Sequence, residues 1–283
     1  ANGIYENCPN DEAHELFKLP EFVNKMMENK WLGSKTGQGF YKKEGKDILT
    51  LDLDTLEYRA NKKASFATLE LTKTIEKPID RFKVLVTGKD KAGEFYRKNF
   101  ASMFQYCSNR IPEITDAFYK IDDAMKAGFG WENGPFEIWD AIGVETGIEL
   151  MKAEGYQPAS WVTDMLASGN SSFYSIKDGA THFYSITNKK VEKIPGQDAF
   201  IILNNIRESK KIWNNSESII TDLGDGIINL EFTSKMNSIG AGVLQGINKA
   251  IDIAEKEYNG LVIGNQGANF SVGANLGMIF MMA

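Results

Sequence analysis

Residues 259–277 read NGLVIGNQGANFSVGANLG. Leu261, Val262 and Ile263 form a short apolar run, as a buried strand does. Gly264, Gly267 and Asn269 then break it with turn chemistry. Phe270-Ser271-Val272 is a second extended piece, and Gly273-Ala274-Asn275-Leu276 turns from it into a helix. A strand, a glycine turn and a helix start in succession expose backbone N–H groups aimed at whatever docks there. Such donors stabilise negative charge developing on an oxygen. Taken alone, the stretch is equally an ordinary strand–turn–helix corner, so its context decides.

The context upstream is regular. Ser218–Leu223 reads as a strand, Gly224-Asp225-Gly226 as a hairpin turn, and Ile227–Phe232 as the partner strand. Val243, Ile247, Ala250, Ile251 and Ala254 line one face of an amphipathic helix ending near Tyr258. The predicted order is strand, hairpin, strand, helix, strand, turn: a ββαβ unit.

Phe270-Ser271-Val272-Gly273-Ala274-Asn275-Leu276 resembles the oxyanion-hole segment of the enoyl-CoA hydratase/isomerase (crotonase) superfamily, and Lys235-Met236-Asn237-Ser238 resembles the loop before that family's first long helix. The resemblance implies that the Ala274 N–H is one of two donors to a thioester oxygen. It also implies that Lys235 and Met236 contact coenzyme A, with Gly273, Asn275 and Leu276 flanking the substrate. Asn275 stands where the family has aspartate, which removes a charge and leaves the backbone donor untouched. The unit is then the opening of an α/β crotonase spiral. The second donor and the two glutamates that move water are expected beyond the last residue.

The first half of the chain is helical. Leu16, Phe17, Leu19, Phe22, Val23, Met26 and Met27 recur at roughly helical spacing, with Pro20 restarting a helix. Gly33, Gly37 and Gly39 then make a tight connection anchored by Phe40-Tyr41; their order is not that of a phosphate-binding loop. Ile48–Leu53 alternates as a strand, and Phe66–Ile75 and Ile79–Thr87 read as helical pieces. Beyond residue 91, Ala92, Phe95, Tyr96, Phe100, Met103, Phe104 and Cys107 make one apolar face. Ile111, Ile114, Phe118, Ile121, Ala124 and Met125 make the next.

Trp31–Tyr41 (WLGSKTGQGFY) resembles the end of the C-terminal domain of 3-hydroxyacyl-CoA dehydrogenases, and Asp122–Gly143 (DDAMKAGFGWENGPFEIWDAIG) resembles the core of the same domain. Pro20–Gly45 recurs loosely as Pro158–Gly179, pairing Met26 with Met165 and Phe40-Tyr41 with Phe173-Tyr174. The resemblance implies a tandem of helical domains that packs, associates with another copy and helps enclose an acyl chain. Asp122, Asp123, Glu137 and Asp140 have no histidine near them in sequence, so they read as packing or capping acids rather than as half of an acid–base pair. The family's catalytic histidine and glutamate and its NAD-binding Rossmann domain are expected before Ala1, so no cofactor-binding residue is assigned here. Residues 181–216 read as a linker, with a β-like run at Phe200–Leu203 and an edge strand at Thr181–Ile186 that carries His182.

The chain has 283 residues and a net charge of −6, which argues against nucleic acid as a partner. No apolar run is long enough to span a membrane. Two cysteines and two histidines exclude a disulfide framework and a histidine-rich metal site, and point to a reducing, cytoplasmic setting. No HExxH, CxxC or GxGxxG occurs. The sequence opens without methionine and closes in a helix-like run, Met278–Met282, so both ends look cut.

The expected fold is α+β. Residues 1–44 are the tail of a first dehydrogenase C-terminal domain, 45–90 a connector and 91–180 a second such domain. Residues 181–216 are the linker and 217–283 the start of a crotonase domain. The expected parent is a bifunctional fatty-acid β-oxidation enzyme: an NAD-dependent 3-hydroxyacyl-CoA dehydrogenase plus an enoyl-CoA hydratase acting on acyl-CoA. It would form a homo-oligomer, and this stretch would lack both catalytic centres. The alternative is a non-catalytic scaffold that dimerises or binds acyl-CoA.

Overall fold

The computed structural model describes residues 1–75, 77–277 and 280. The helical reading of Met278–Met282 therefore falls, except for Phe280, outside the described residues. The fold is mixed α+β and divides into two units, residues 1–171 and 172–283.

The first unit holds α1 (Asn2–Asn7), α2 (Glu21–Glu28), the strands β1 (Tyr41–Glu44), β2 (Asp47–Leu51) and β3 (Tyr58–Ala60), and then α3 (Ala67–Thr72), α4 (Pro78–Thr87), α5 (Lys91–Asn109), α6 (Tyr119–Phe129), α7 (Pro135–Ile142), α8 (Val144–Ala153) and α9 (Ser160–Ala167). Pro78 and Pro135 each open a helix at its first turn, where the missing N–H costs nothing. Asp90 caps α5: its carboxylate accepts the Gly93 N–H at 3.0 Å and also the N–H and hydroxyl of Thr68 in α3, at 3.0 and 2.8 Å.

The helical core is aromatic. Phe104, Phe118, Phe136, Trp139, Met151, Val162 and Met165 are fully buried. Trp139 stacks on Phe104 at 4.7 Å between centroids and donates its indole N–H to the Val144 carbonyl at 3.0 Å. α8 also packs closely on this ring at Gly147, where a Cβ would stand 2.1 Å from the indole nitrogen. Burying each such side chain contributes about 1.5–3 kcal/mol.

Two parts of the sequence reading change here. The apolar face expected across 111–125 is broken: helix α6 begins only at Tyr119, and Ile114 is exposed. Pro112 lacks the N–H that a continuous helix needs and restricts the residue before it. Phe95 also faces out of α5 rather than into its core.

The second unit opens with an antiparallel sheet, β4 (Tyr174–Lys177), β5 (Ala180–Ser185) and β6 (Lys190–Lys193). After α10 (Leu203–Ile206) comes a four-stranded sheet of β7 (Lys211–Asn214), β8 (Ser218–Gly224), β9 (Ile227–Phe232) and β10 (Gly260–Ile263), with α11 (Ala241–Glu257) between β9 and β10. Its order is β10-β9-β8-β7; β9 and β10 run parallel, with Gly260 opposite Ile227 and Ile263 opposite Leu230. Parallel neighbours need a crossover, and α11 supplies it. The ββαβ unit read from the sequence is therefore present as strands, hairpin and crossover helix.

The stretch expected as a linker is largely ordered into β5, β6, α10 and β7. β5 is the central strand of its sheet, not an edge. Its partner β6, Lys-Val-Glu-Lys, carries too little apolar signal to be recognised as a strand. Residues 200–202 lie outside any strand, and Leu203 starts α10; short apolar runs do not separate strand from helix by pattern alone.

The repeat goes further than the sequence match. Each Phe-Tyr pair opens a three-stranded antiparallel sheet, β1-β2-β3 from Tyr41 and β4-β5-β6 from Tyr174. Their first hairpins turn at Gly45 and Gly179, both with positive φ.

Ile220, Ile228, Leu230, Phe232, Val243 and Ala250 form the core under the four-stranded sheet. Ile251, placed on this face by the sequence reading, is exposed. The stripe runs 243, 247, 250, 254, and position 251 lies about 100° around the helix from 250. α11 meets the sheet closely at Gly246, where a Cβ would stand 2.2 Å from the Ser218 hydroxyl.

Candidate functional site

The parallel pair β9–β10 sends two loops from its carboxyl end, the position where open α/β sheets bind ligands. The loop after β9 is residues 233–240; the loop after β10 is residues 264–275. The predicted residues Lys235 and Met236 lie on the first, and Gly273, Ala274, Asn275 and Leu276 on or just past the second. The structure brings the two loops together.

The joint is a parallel bridge between Ile239 and Ala274. The Ile239 N–H donates to the Gly273 carbonyl at 2.9 Å, and the Asn275 N–H donates to the Ile239 carbonyl at 3.0 Å. A trans peptide is planar, so its N–H points opposite its C=O. With the Gly273 carbonyl turned to Ile239, the Ala274 N–H points away from Ile239. No described residue takes a hydrogen bond from that N–H. Gly273 has φ +89°, a left-handed value that glycine adopts without strain.

Asparagines and a serine hold the pair of loops. The Asn265 side chain accepts the Phe232 N–H at 2.7 Å and donates to the Phe270 carbonyl at 2.7 Å. Asn229, buried in β9, donates to the Gly264 carbonyl at 3.1 Å. Asn237 donates to the Asn269 carbonyl at 2.8 Å, and the Ser271 hydroxyl donates to the Asn237 carbonyl at 2.7 Å. Reading the sequence for chemistry passed over Asn237, Asn265 and Ser271 as site residues. Asparagine's tolerance of left-handed backbone was the signal available for Asn237, which has φ +55°.

Around this joint Met236, Phe270, Val272 and Leu276 expose apolar side chains, and Lys235 and Asn275 are exposed. The set is one open N–H, one lysine cation and an apolar surround. It suits an uncharged carbonyl at the N–H and an anionic group at the lysine.

The acids of the first unit are used structurally. Asp122 is fully buried, and its carboxylate accepts the N–H groups of Phe136 and Glu137 at 2.9 and 3.1 Å. Glu137 folds back onto the Gly134 N–H at 2.8 Å and pairs with Lys126 at 2.7 Å; Asp123 also meets Lys126, at 3.3 Å. The first turn of α7 is thus saturated. Asp90, held down to about 2 by the N–H groups of Thr68 and Gly93, is a cap; it borders an apolar groove of about 460 Å³. Burial pushes the Cys107 thiol up to about 12, with the Asp122 charge adding to it, so it is no nucleophile.

His14 stacks on Tyr5 at 4.2 Å, and its Nδ1 lies 3.1 Å from the Cys8 carbonyl. His182 Nδ1 lies 3.1 Å from the Ala180 carbonyl within β5. Among the described residues no group of three His, Cys, Asp or Glu side chains is placed to hold a metal ion. No described helix is long and apolar enough to cross a membrane.

Comparison with known proteins finds a similarity over part of the chain. Residues 100–172 match the family model for the 3-hydroxyacyl-CoA dehydrogenase C-terminal domain. The chain is 42% identical over 282 residues to a Bacillus subtilis protein named "Probable 3-hydroxyacyl-CoA dehydrogenase", covering 99% of this chain and 35% of that protein. It is 24% identical over 274 residues to a Rickettsia felis protein and 25% identical over 273 residues to a Rickettsia prowazekii protein. Both are named "Putative fatty acid oxidation complex trifunctional enzyme". These matches cover 95% of this chain and 34% and 33% of the two relatives. The chain thus spans about a third of the length of the curated relatives it matches. No solved structure matches it.

Proposed function

We propose that this chain is a section of a fatty-acid β-oxidation polypeptide that joins an NAD-dependent 3-hydroxyacyl-CoA dehydrogenase to an enoyl-CoA hydratase. In this reading residues 1–44 and 91–180 are two copies of the dehydrogenase's C-terminal helical domain, and 217–283 open the hydratase domain. The family match over residues 100–172 and the relatives' names support the dehydrogenase part. The hydratase part rests on the second unit. The observation that supports it is the Ile239–Ala274 bridge, which holds the Gly273–Ala274 peptide plane with its N–H pointing away from Ile239, at the carboxyl end of β9 and β10.

The chemistry follows from that donor. An enoyl-CoA thioester would place its carbonyl oxygen on the Ala274 N–H. When a hydroxyl adds at C3, the electron pair of the double bond moves toward C1, and negative charge builds on that oxygen as an enolate. A fixed N–H stabilises the charge without reorganising; losing one such donor costs about 2.7–4 kcal/mol of barrier. Protonation at C2 completes the addition of water. Lys235 would meet the phosphates of coenzyme A, and Met236, with Gly273, Asn275 and Leu276, would border the bound thioester. The sequence carries no dinucleotide-binding glycine fingerprint, and in this reading NAD and the proton-transfer groups belong to other parts of the polypeptide. Chains would associate through the helical copies, the second of which exposes Phe95, Ile114 and Phe129.

The test is carbon NMR of crotonyl-CoA labelled at its thioester carbon and mixed with the chain. A downfield shift of the bound carbonyl is expected, because a hydrogen bond to its oxygen withdraws electron density from the carbon. Binding without that shift would sink the oxyanion assignment, and no binding would favour a chain without acyl-CoA function.

A further inference from the structure

We infer that Ser271 and Asn237 are positioning residues for the Ala274 donor, and this rests on the thioester reading above. The direction of the Ala274 N–H is set by the Gly273–Ala274 peptide plane. Gly273 is the weak point, because glycine rotates freely about both its backbone bonds. Both peptide planes that meet at Gly273 are held. Its carbonyl accepts from the Ile239 N–H at 2.9 Å, and its own N–H donates to the Ser271 hydroxyl oxygen at 3.0 Å.

The Ser271 hydroxyl also reaches across to the other loop, donating to the Asn237 carbonyl at 2.7 Å. One hydroxyl therefore fixes the plane before Gly273 and ties it to the loop that fixes the plane after it. That second loop is itself in an unusual state. Met236 and Asn237 are consecutive non-glycine residues with φ +56° and +55°. Asparagine adopts such backbone readily, whereas at Met236 it persists only where surrounding contacts over-determine it. Here the contacts are the Asn237 amide on the Asn269 carbonyl, at 2.8 Å, and the Ser234 hydroxyl on the Ser238 carbonyl, at 2.6 Å. Strain on one loop and a free-turning glycine on the other are clamped by the same serine and asparagine. Neither side chain needs to touch the substrate; each acts through the Gly273–Ala274 plane.

The experiment uses the full chain and a conjugated dienoyl thioester, 2,4-hexadienoyl-CoA, whose absorption moves to longer wavelength when its carbonyl oxygen is hydrogen-bonded. Ser271→Ala should lose at least about half of that shift, because an oxyanion donor acts only when aimed. Its affinity should change by less than about threefold, because most of the ligand's contacts lie elsewhere. Ser271→Thr, which keeps the hydroxyl, should restore the shift. Asn237→Gly keeps the left-handed backbone but removes the amide bond, and should lose an intermediate part. If Ser271→Ala lowers the unfolding midpoint, Asn237→Gly decides on the same readouts. A full shift in both Ser271→Ala and Asn237→Gly overturns the positioning role while leaving the thioester reading intact. Binding without any shift in the unaltered chain overturns that reading, and the positioning role with it.

Discussion

The first turn of α7 and the loop at Ala274 are built from similar sequence: a glycine, a small or rigid residue, then a helix start. They end in opposite states. At α7 the N–H groups of Gly134, Phe136 and Glu137 are all taken, by Glu137 and by Asp122 reaching over from α6. At the second loop the bonds on either side are made, while the Ala274 N–H has no partner among the described residues. A helix start whose donors are filled by nearby acids is architecture; one that leaves a donor without a described partner keeps it available for the proposed carbonyl contact. The glycine pattern alone does not separate them.

Breaking the saturated turn should give the largest effects. Gly134→Ala would put a Cβ 2.3–2.4 Å from atoms of Asp122, including its Cα, so the backbone must move. We expect about 3 kcal/mol of lost stability in urea titration, the upper end of what overpacking costs. Asp122→Ala leaves two N–H groups without their acceptor, at about 1–3 kcal/mol each, so a loss of about 2–6 kcal/mol is expected. A loss under 1 kcal/mol would mean that water fills the turn, and the contrast with Ala274 would fail.

The second unit has a fixed part of its own. Glu231 is buried in β9 and meets Arg207 through two bonds, at 3.0 and 2.7 Å. Arg207→Ala should destabilise by about 3–5 kcal/mol, since it strands a buried carboxylate. The double variant Arg207→Ala with Glu231→Gln should recover part of that loss.

Ala274→Pro sharpens the comparison from the other side. It deletes an N–H that no described residue accepts, but it also fixes φ at 274 and restricts Gly273, so a stability loss of about 1–3 kcal/mol accompanies it and is followed by urea titration. The carbonyl shift of bound crotonyl-CoA should disappear. Unchanged polarisation would show that Ala274 is no donor to substrate.

The mildest change is with acid. The Asp90 carboxyl titrates at about 2 in the folded chain, below its ordinary 3.8, chiefly because it accepts the N–H groups of Thr68 and Gly93. A depressed pKa stabilises the fold above the unfolded value and is lost as pH falls through the folded one. The urea midpoint should therefore drop between about pH 4 and pH 2. Asp90→Asn should flatten that part of the curve; an unchanged slope would remove Asp90 as its source.

Local pattern carried much of the fold. The hairpin at residues 224–226, the crossover helix and the apolar run at 261–263 were legible because turn chemistry and the 3.6-residue stripe are properties of neighbours in sequence. The sheet at 174–193 was not, because β6 is charged and its pairing depends on β5 rather than on its own composition. Ile114, Phe95 and Ile251 were misplaced for a related reason: period marks a face but not whether anything covers it.

The candidate site divides the same way. By itself the sequence determined that a strand, a glycine turn and a helix start follow one another at residues 261–276, and that no histidine lies near Asp122 and its neighbours in the chain. Only the tertiary structure decided which N–H stays open. That depends on an acceptor 15 residues away in the Asp122–Glu137 bond, and on a bridge from Ile239 to Ala274 that fixes one peptide plane. Hydrogen bonds between distant residues select among turns that local chemistry leaves equivalent, because each buried donor must find an acceptor wherever the fold brings one.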